Sequence, residues 1–321
     1  MMKRLLVENF KSVKHLDLEC RKVNVFIGRP NTGKSNILEA LGLLSHAYHG
    51  YEGNRSLKDY VRMKDMTNLF YDCNIGEEVN VSLDQFTLKL VQEGSRFDEI
   101  YNGTRIWSLN WNGEGSCTMD LEKLNVFSRF KFYRFPKVKV FQESIFPYLK
   151  PPSGENIVSI LGKNVELQRL VGNLTEEFGL KLFVKQKERE WELVKLIDGV
   201  AISYPYETIS DTLQRLIFNM AAIKTSKDSL IVLEEPESHA FPYHVKYLAE
   251  LVALDKTNQY FVSTHNPIFL LTIIEKVPKD LCMAFLTYYE DYQTKVKPLE
   301  HDKILDMAND TFFNLDSMLE V

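Results

Sequence analysis

Cysteine is scarce in this chain: Cys20, Cys73, Cys117 and Cys282 are its four, none in C-x-x-C spacing. That excludes a zinc ribbon and a disulfide framework and suits a protein kept reduced. There is no run of eighteen apolar residues, and Met1 to Asn9 reads as a mixed strand rather than a secretion signal. The chain is therefore expected in the cytoplasm, with no membrane span. Repeats, low-complexity tracts and sustained heptads are also missing, the last arguing against a coiled coil. Nor is there an excess of basic charge. The net charge of −5 argues against a strongly basic nucleic-acid binder, while leaving room for a local, salt-sensitive basic groove. What is present is 45% apolar residues over 321 positions, enough for a large core.

Against this background two short stretches stand out. GRPNTGKS, from Gly28 to Ser35, fits G-x-x-x-x-G-K-[ST]. It follows the apolar run Val23, Val25, Phe26, Ile27 and leads into Ile37, Leu38, Ala40, Leu41 and Leu44 at helical spacing, which predicts strand, loop, helix. Gly28 and Gly33 allow the backbone of Arg29, Pro30, Asn31 and Thr32 to wrap phosphate oxygens at the positive end of the helix. Lys34 is expected to reach the β and γ phosphates, Ser35 to ligate Mg²⁺, and Asn36 to complete the nucleotide-binding stretch.

The second stretch is LIVLEEPESHAFP. Leu230 to Leu233 form the continuous apolar run of a strand buried on both faces, ending in Glu234 and Glu235. At the carboxyl end of a parallel strand, Glu234 is expected to hold hydrated Mg²⁺ and Glu235 to orient and deprotonate a water. A helical segment around Val245 to Val252 then leads to the strand-like Tyr260, Phe261, Val262 and to Ser263, Thr264, His265. A right-handed crossover would bring His265 out beside Glu235, where its imidazole can bond a γ-phosphate oxygen or the water.

Together with the opening LLVENFKSVKHLDLE and its Asn9, Phe10, Lys11, Ser12 turn, these motifs resemble the ATP-binding-cassette-type ATPase heads of the SMC, RecF and overcoming-lysogenization-defect (OLD) branch. The resemblance covers roughly the first 50 and the last 120 residues. It implies an α/β P-loop NTPase with a central mostly parallel sheet and an inserted α-rich lobe, acting on ATP with Mg²⁺; the alternation of Val79, Val81, Leu83 and of Phe86, Leu88, Leu90, with the Asn102-Gly103 turn before Ile106 to Trp111, predicts an antiparallel β-meander. The resemblance further implies a homodimer sandwiching two ATP molecules, each touched in trans by a signature helix. The matching segment is Ile209 to Ile223, with Ser210 at the helix start. Relatives usually carry Gly where Thr212 stands, Asp where Glu234 stands and Asn where Pro30 stands. For the family's Gln-bearing loop, Gln85 and Gln142 both remain candidates. A translation-type GTPase, which shares the loop pattern, is disfavoured by the lack of N-K-x-D and D-x-x-G.

The expected organisation is 1–145 for the N-terminal part of the head, 146–225 for the helical lobe ending in the signature helix, and 226–321 for the C-terminal part. The resemblance to OLD proteins raises the prospect of a C-terminal nuclease, but no D-x-D follows His265, so the effector is expected on a separate polypeptide, in DNA repair or anti-phage defence. Phe127 to Phe141 interleaves Arg129, Lys131, Arg134, Lys137 and Lys139 with aromatics. This is either a nucleic-acid track or, the favoured reading, a strand with one apolar and one solvated face. Alternatives to the ATPase are a weakly hydrolysing, nucleotide-dependent scaffold, suggested by Thr212, and a DNA-binding switch.

Overall fold

A computed structural model describes residues 1–53, 55–135, 146–185 and 190–306. The chain opens with β1 (Arg4–Phe10), β2 (Val13–Glu19) and β3 (Val23–Ile27), followed by α1 (Lys34–Gly53). A meander follows: β4 (Val79–Leu83), β5 (Phe86–Glu93), β6 (Arg96–Tyr101), β7 (Thr104–Leu109) and β8 (Gly115–Cys117). A short α2 (Leu121–Leu124) precedes β9 (Phe130–Tyr133). Next come α3 (Ile157–Lys163), α4 (Val165–Glu176), the strands β10 (Lys181–Lys185), β11 (Glu190–Ile197) and β12 (Val200–Pro205), and α5 (Asp211–Thr225). The last stretch holds β13 (Leu230–Glu234), α6 (Pro242–Leu254), β14 (Gln259–Ser263), α7 (Pro267–Lys276), β15 (Cys282–Glu290), β16 (Gln293–Leu299) and α8 (His301–Asp306).

The central sheet runs β16-β15-β3-β14-β13-β9, parallel throughout except for β16. β3 and β14 are buried at every residue, as expected of parallel strands covered on both faces. On one face Val25, Ile27, Leu233, Val262 and Leu286 pack against residues of α5 to α7 such as Met220, Leu248 and Phe269. On the other, Phe26, Phe132, Val232, Phe261 and Phe285 meet α1 and the meander, with the Phe26 and Phe285 rings stacked at 5.0 Å. The meander is antiparallel, β2-β1-β4-β5-β6-β7-β8, and β4 and β5 alternate buried and half-buried residues as their sequence suggests. The Asn102-Gly103 turn joins β6 to β7 as expected.

The α/β architecture therefore stands, with one element added. In the lobe, Leu180 to Val184 and Trp191 to Leu196 read as strand-like and are present as β10 and β11, while β12 completes this third sheet, which is antiparallel, although all six of its residues are exposed.

Neither reading of the segment around β9 holds. Phe127, Phe130 and Phe132 are fully buried, and all four β9 residues are buried, so this strand has no solvated face and no free rings for bases. Lys131 stacks over the Tyr148 ring at 3.8 Å, and burial pushes its ammonium down to about 7. Lys137 and Lys139 lie outside the described residues, as does Gln142.

Candidate functional site

Register decides the geometry of the site. Tyr133 lies opposite Leu233, Glu234 opposite Ser263, and Ser263 opposite Phe26, so β9, β13, β14 and β3 end at one level. The residues that follow, Arg134, Glu235, His265 and Gly28, share one rim of the sheet, the carboxyl rim where ligands of such sheets bind.

The loop from Gly28 to Gly33 is walled by the β15–β16 hairpin. Gly28 (φ 150°) and Gly33 (φ 96°) lie in the left-handed half of backbone space, and a Cβ on Gly33 would stand 1.9 Å from Thr294 Oγ1. Thr287 donates to the Ile27 carbonyl at 2.9 Å and meets the Thr32 hydroxyl at 2.9 Å. Arg29, Pro30 and Asn31 are exposed at the loop tip, whereas Thr32 is buried. Lys34 is buried and curls back to donate to the carbonyls of Gly28 (2.9 Å) and Arg29 (2.8 Å). Burial pushes its ammonium down to about 8, with Glu235 pulling the other way. Asn36 Nδ2 donates to Ser12 Oγ at 2.6 Å, docking the N-F-K-S turn onto the start of α1.

Adjacent in sequence, Glu234 and Glu235 diverge. Glu234 ends β13, while Glu235 turns into left-handed backbone (φ 43°), so the two carboxylates face different neighbours. Glu235 Oε1 is 3.2 Å from His265 Nε2, and Oε2 accepts from Ser238 at 3.2 Å. The His265 bond chiefly holds its carboxyl below the usual range, against the effect of burial. Glu234 instead faces Arg62 Nη2 at 2.9 Å and Arg134 Nε at 3.7 Å. The cradle, the cationic Lys34 and a carboxylate within the same rim suit a metal-bound nucleotide, with Ser35 and Glu234 as the oxygen donors present.

Comparison with known proteins gives the same architecture. Residues 1–128 match the AAA ATPase domain family. An SMC head bound to the C-winged helix domain of ScpA superposes with a TM-score of 0.57 at 15% identity, covering 94% of this chain and 99% of that one. The Pyrococcus furiosus SMC head with an extended coiled coil, bound to the C-terminal domain of ScpA, gives 0.54 at 15% identity, covering 95% and 98%. The chain has the fold of an SMC head. The head from Thermotoga maritima agrees, at 0.50 and 14% identity over 93% of this chain and 99% of that one, while no curated protein matches.

Within this SMC-head fold Ser210 stands apart from the loop. Its hydroxyl caps α5 by accepting from Leu213 N at 3.3 Å, and it lines a groove with Thr212, His239, Phe241 and Tyr243. Thr212 Oγ1 donates to the His239 carbonyl at 3.0 Å. Gln85 lies in the β4–β5 connection, and Arg134 is the polar residue that follows β9 at the rim. No helix among the described residues is long and apolar enough to cross a membrane.

Sequence reasoning missed Glu39, Arg62, Arg134 and Glu237 as members of the site. Glu39 was discoverable: it stands one turn after Ser35 inside the apolar run of α1, where an ionisable residue needs a partner. Glu237 was signalled only as a third acid after the pair. It is buried, accepts from the Thr264 hydroxyl, and burial pushes its carboxyl up to about 7. A carboxyl raised in the folded state costs nothing below its unfolded value near 4.5, and the cost grows until pH passes about 7. Glu237→Gln should therefore be more stable than wild type at pH 8, by up to about 3 kcal/mol, and so melt higher, and the gap should close toward pH 4.5. Thermal melts across that range check it; a gap independent of pH would mean that Glu237 is not held neutral.

Proposed function

We propose that this chain is an ATPase head that binds ATP with Mg²⁺ and hydrolyses it at the rim formed by β3, β13 and β14. The observation that carries the reading is the Glu235–His265 pair, at 3.2 Å, beside a loop whose lysine already feels the Glu235 charge. Backbone N–H groups of residues 29 to 36 would bind the phosphates, and Lys34 would exchange the carbonyls of Gly28 and Arg29 for phosphate oxygens. Ser35 and Glu234 would hold Mg²⁺, which supplies charge neutralisation on the phosphates when bound. Glu235, kept ionised by His265, would orient the attacking water and accept its proton. With Nε2 facing Glu235, His265 would donate from Nδ1 to a phosphate oxygen when the ring is protonated, since both nitrogens are donors only in the imidazolium form.

The reading extends to assembly. The groove beside Ser210, with Phe241 and Tyr243 more than half exposed, suits a second head, and Ser210 would meet that partner's nucleotide in an ATP-sandwich homodimer. Two of the similar heads carry a domain of another protein, which favours a separate effector here. A cytoplasmic protein gating such an effector in DNA repair or in defence against mobile elements fits this scheme. Thr212 favours a second reading, a slowly hydrolysing scaffold, because a side chain occupies the place where relatives present bare backbone.

The test combines nucleotide binding with mass in solution. Lys34→Ala should bind ATP about 10- to 100-fold more weakly, the loss of a charge-assisted phosphate contact. Equal binding would remove the loop from the nucleotide site. Mass that doubles with ATP and Mg²⁺ supports the sandwich. A monomer that binds ATP tightly and turns it over slowly supports the scaffold.

A further inference from the structure

Glu39 is fully buried on α1, four residues after Ser35, and it gathers three cations: Lys11, Arg62 (Nε, 2.7 Å) and Arg134 (Nη2, 2.5 Å). Burial alone would raise the Glu39 carboxyl, but these cations together bring it below its ordinary value. The two guanidiniums reach past Glu39 to Glu234, one toward each carboxylate oxygen. The cluster has three positive charges and two negative ones, and Arg134 Nε is buried with no hydrogen-bond partner. Such a donor is costly unless an acceptor arrives.

If Glu234 takes a divalent cation, as the reading above has it, two guanidiniums at the same oxygens repel that cation. Metal and arginines can share this rim only when new acceptors come in with the metal. A terminal phosphate brings them, with the geometry that a guanidinium fork matches. Resting on that reading of the site, we propose that Arg62 and Arg134 exchange Glu234 for the terminal phosphate of a metal-bound nucleoside triphosphate, with Glu39 as the fixed anchor for both. The pair then makes metal capture conditional on a triphosphate and discriminates it from a diphosphate, which lacks the terminal acceptors.

The experiment titrates fluorescent ATP and ADP analogues against wild type, Arg62→Gln, Arg134→Gln and the double variant at a series of Mg²⁺ concentrations, with thermal melts to verify folding. Arg62 is more than half exposed, so its variant keeps the fold. Wild type should prefer ATP; Arg62→Gln should lose part of that preference and the double variant about tenfold of it. Because Glu234 is released, the double variant should also need less Mg²⁺ for half-maximal ATP binding. An unchanged ATP-to-ADP ratio with an unchanged Mg²⁺ midpoint in folded variants overturns the exchange while leaving the ATPase reading intact. Failure of wild type to bind either nucleotide overturns both.

Discussion

Glu235→Gln is expected to lower ATP turnover by about 10² to 10⁴-fold while sparing ATP binding. Glutamine keeps the size and the hydrogen-bonding reach of the side chain but accepts no proton, and it ends the charge attraction to His265 Nε2. Steady-state phosphate release and equilibrium ATP binding separate the two effects. The substitution also removes a negative charge that Lys34 feels, so binding should hold or tighten slightly. Normal hydrolysis by the variant would mean that another group activates the water. Since the carboxyl already sits below the usual range in wild type, the rate should not fall across the neutral pH range through protonation of Glu235. A rate that collapses below pH 6.5 in wild type would need a different titrating group.

Gly33→Ala should be strongly damaging to the phosphate loop. The added Cβ would fall 1.9 Å from Thr294 Oγ1 and 2.8 Å from Thr294 Cβ, at a backbone φ of 96° that side chains rarely adopt. The backbone conformation alone costs on the order of 1–3 kcal/mol, and forced overpacking adds about as much. A destabilisation of about 2–5 kcal/mol in denaturant unfolding is expected, with loss of nucleotide binding because the loop must move off the hairpin. Combining it with Thr294→Gly should restore the steric part and leave the conformational part. If the single variant unfolds like wild type, the hairpin does not wall the loop.

Much of the fold was legible because its signals are local. β13 is a continuous apolar run up to Glu234, β3 is apolar except at Asn24 and β14 except at its ends, β4 and β5 alternate, and Pro267 and Asn266 open α7 with a proline at the first turn and an asparagine accepting from Ile268 N. β12 was missed because none of its six residues is buried, so burial left no pattern to read. β9 was misread for a different reason: a lysine can enter a buried strand if its stem is covered and its ammonium meets an aromatic face, as Lys131 does on Tyr148. In the site, contiguous motifs placed Lys34, Glu234 and Glu235, and a crossover rule placed His265. The partners of Glu234 come from positions 62 and 134, so only the folded chain brings them together.

The hairpin wall carries a consequence for biogenesis. Thr32 and Thr287, in contact through their hydroxyls, are 255 residues apart in sequence, and β3 is flanked on both sides by strands made long after it. While the ribosome is still producing the middle of the protein, the glycine loop exists as sequence but has no pocket around it. Closing so long a loop is slow compared with local helix and hairpin formation. The ability to hold ATP should therefore appear late and abruptly during synthesis, once the β15–β16 segment has emerged from the exit tunnel, so that a stalled nascent chain cannot enter the nucleotide cycle.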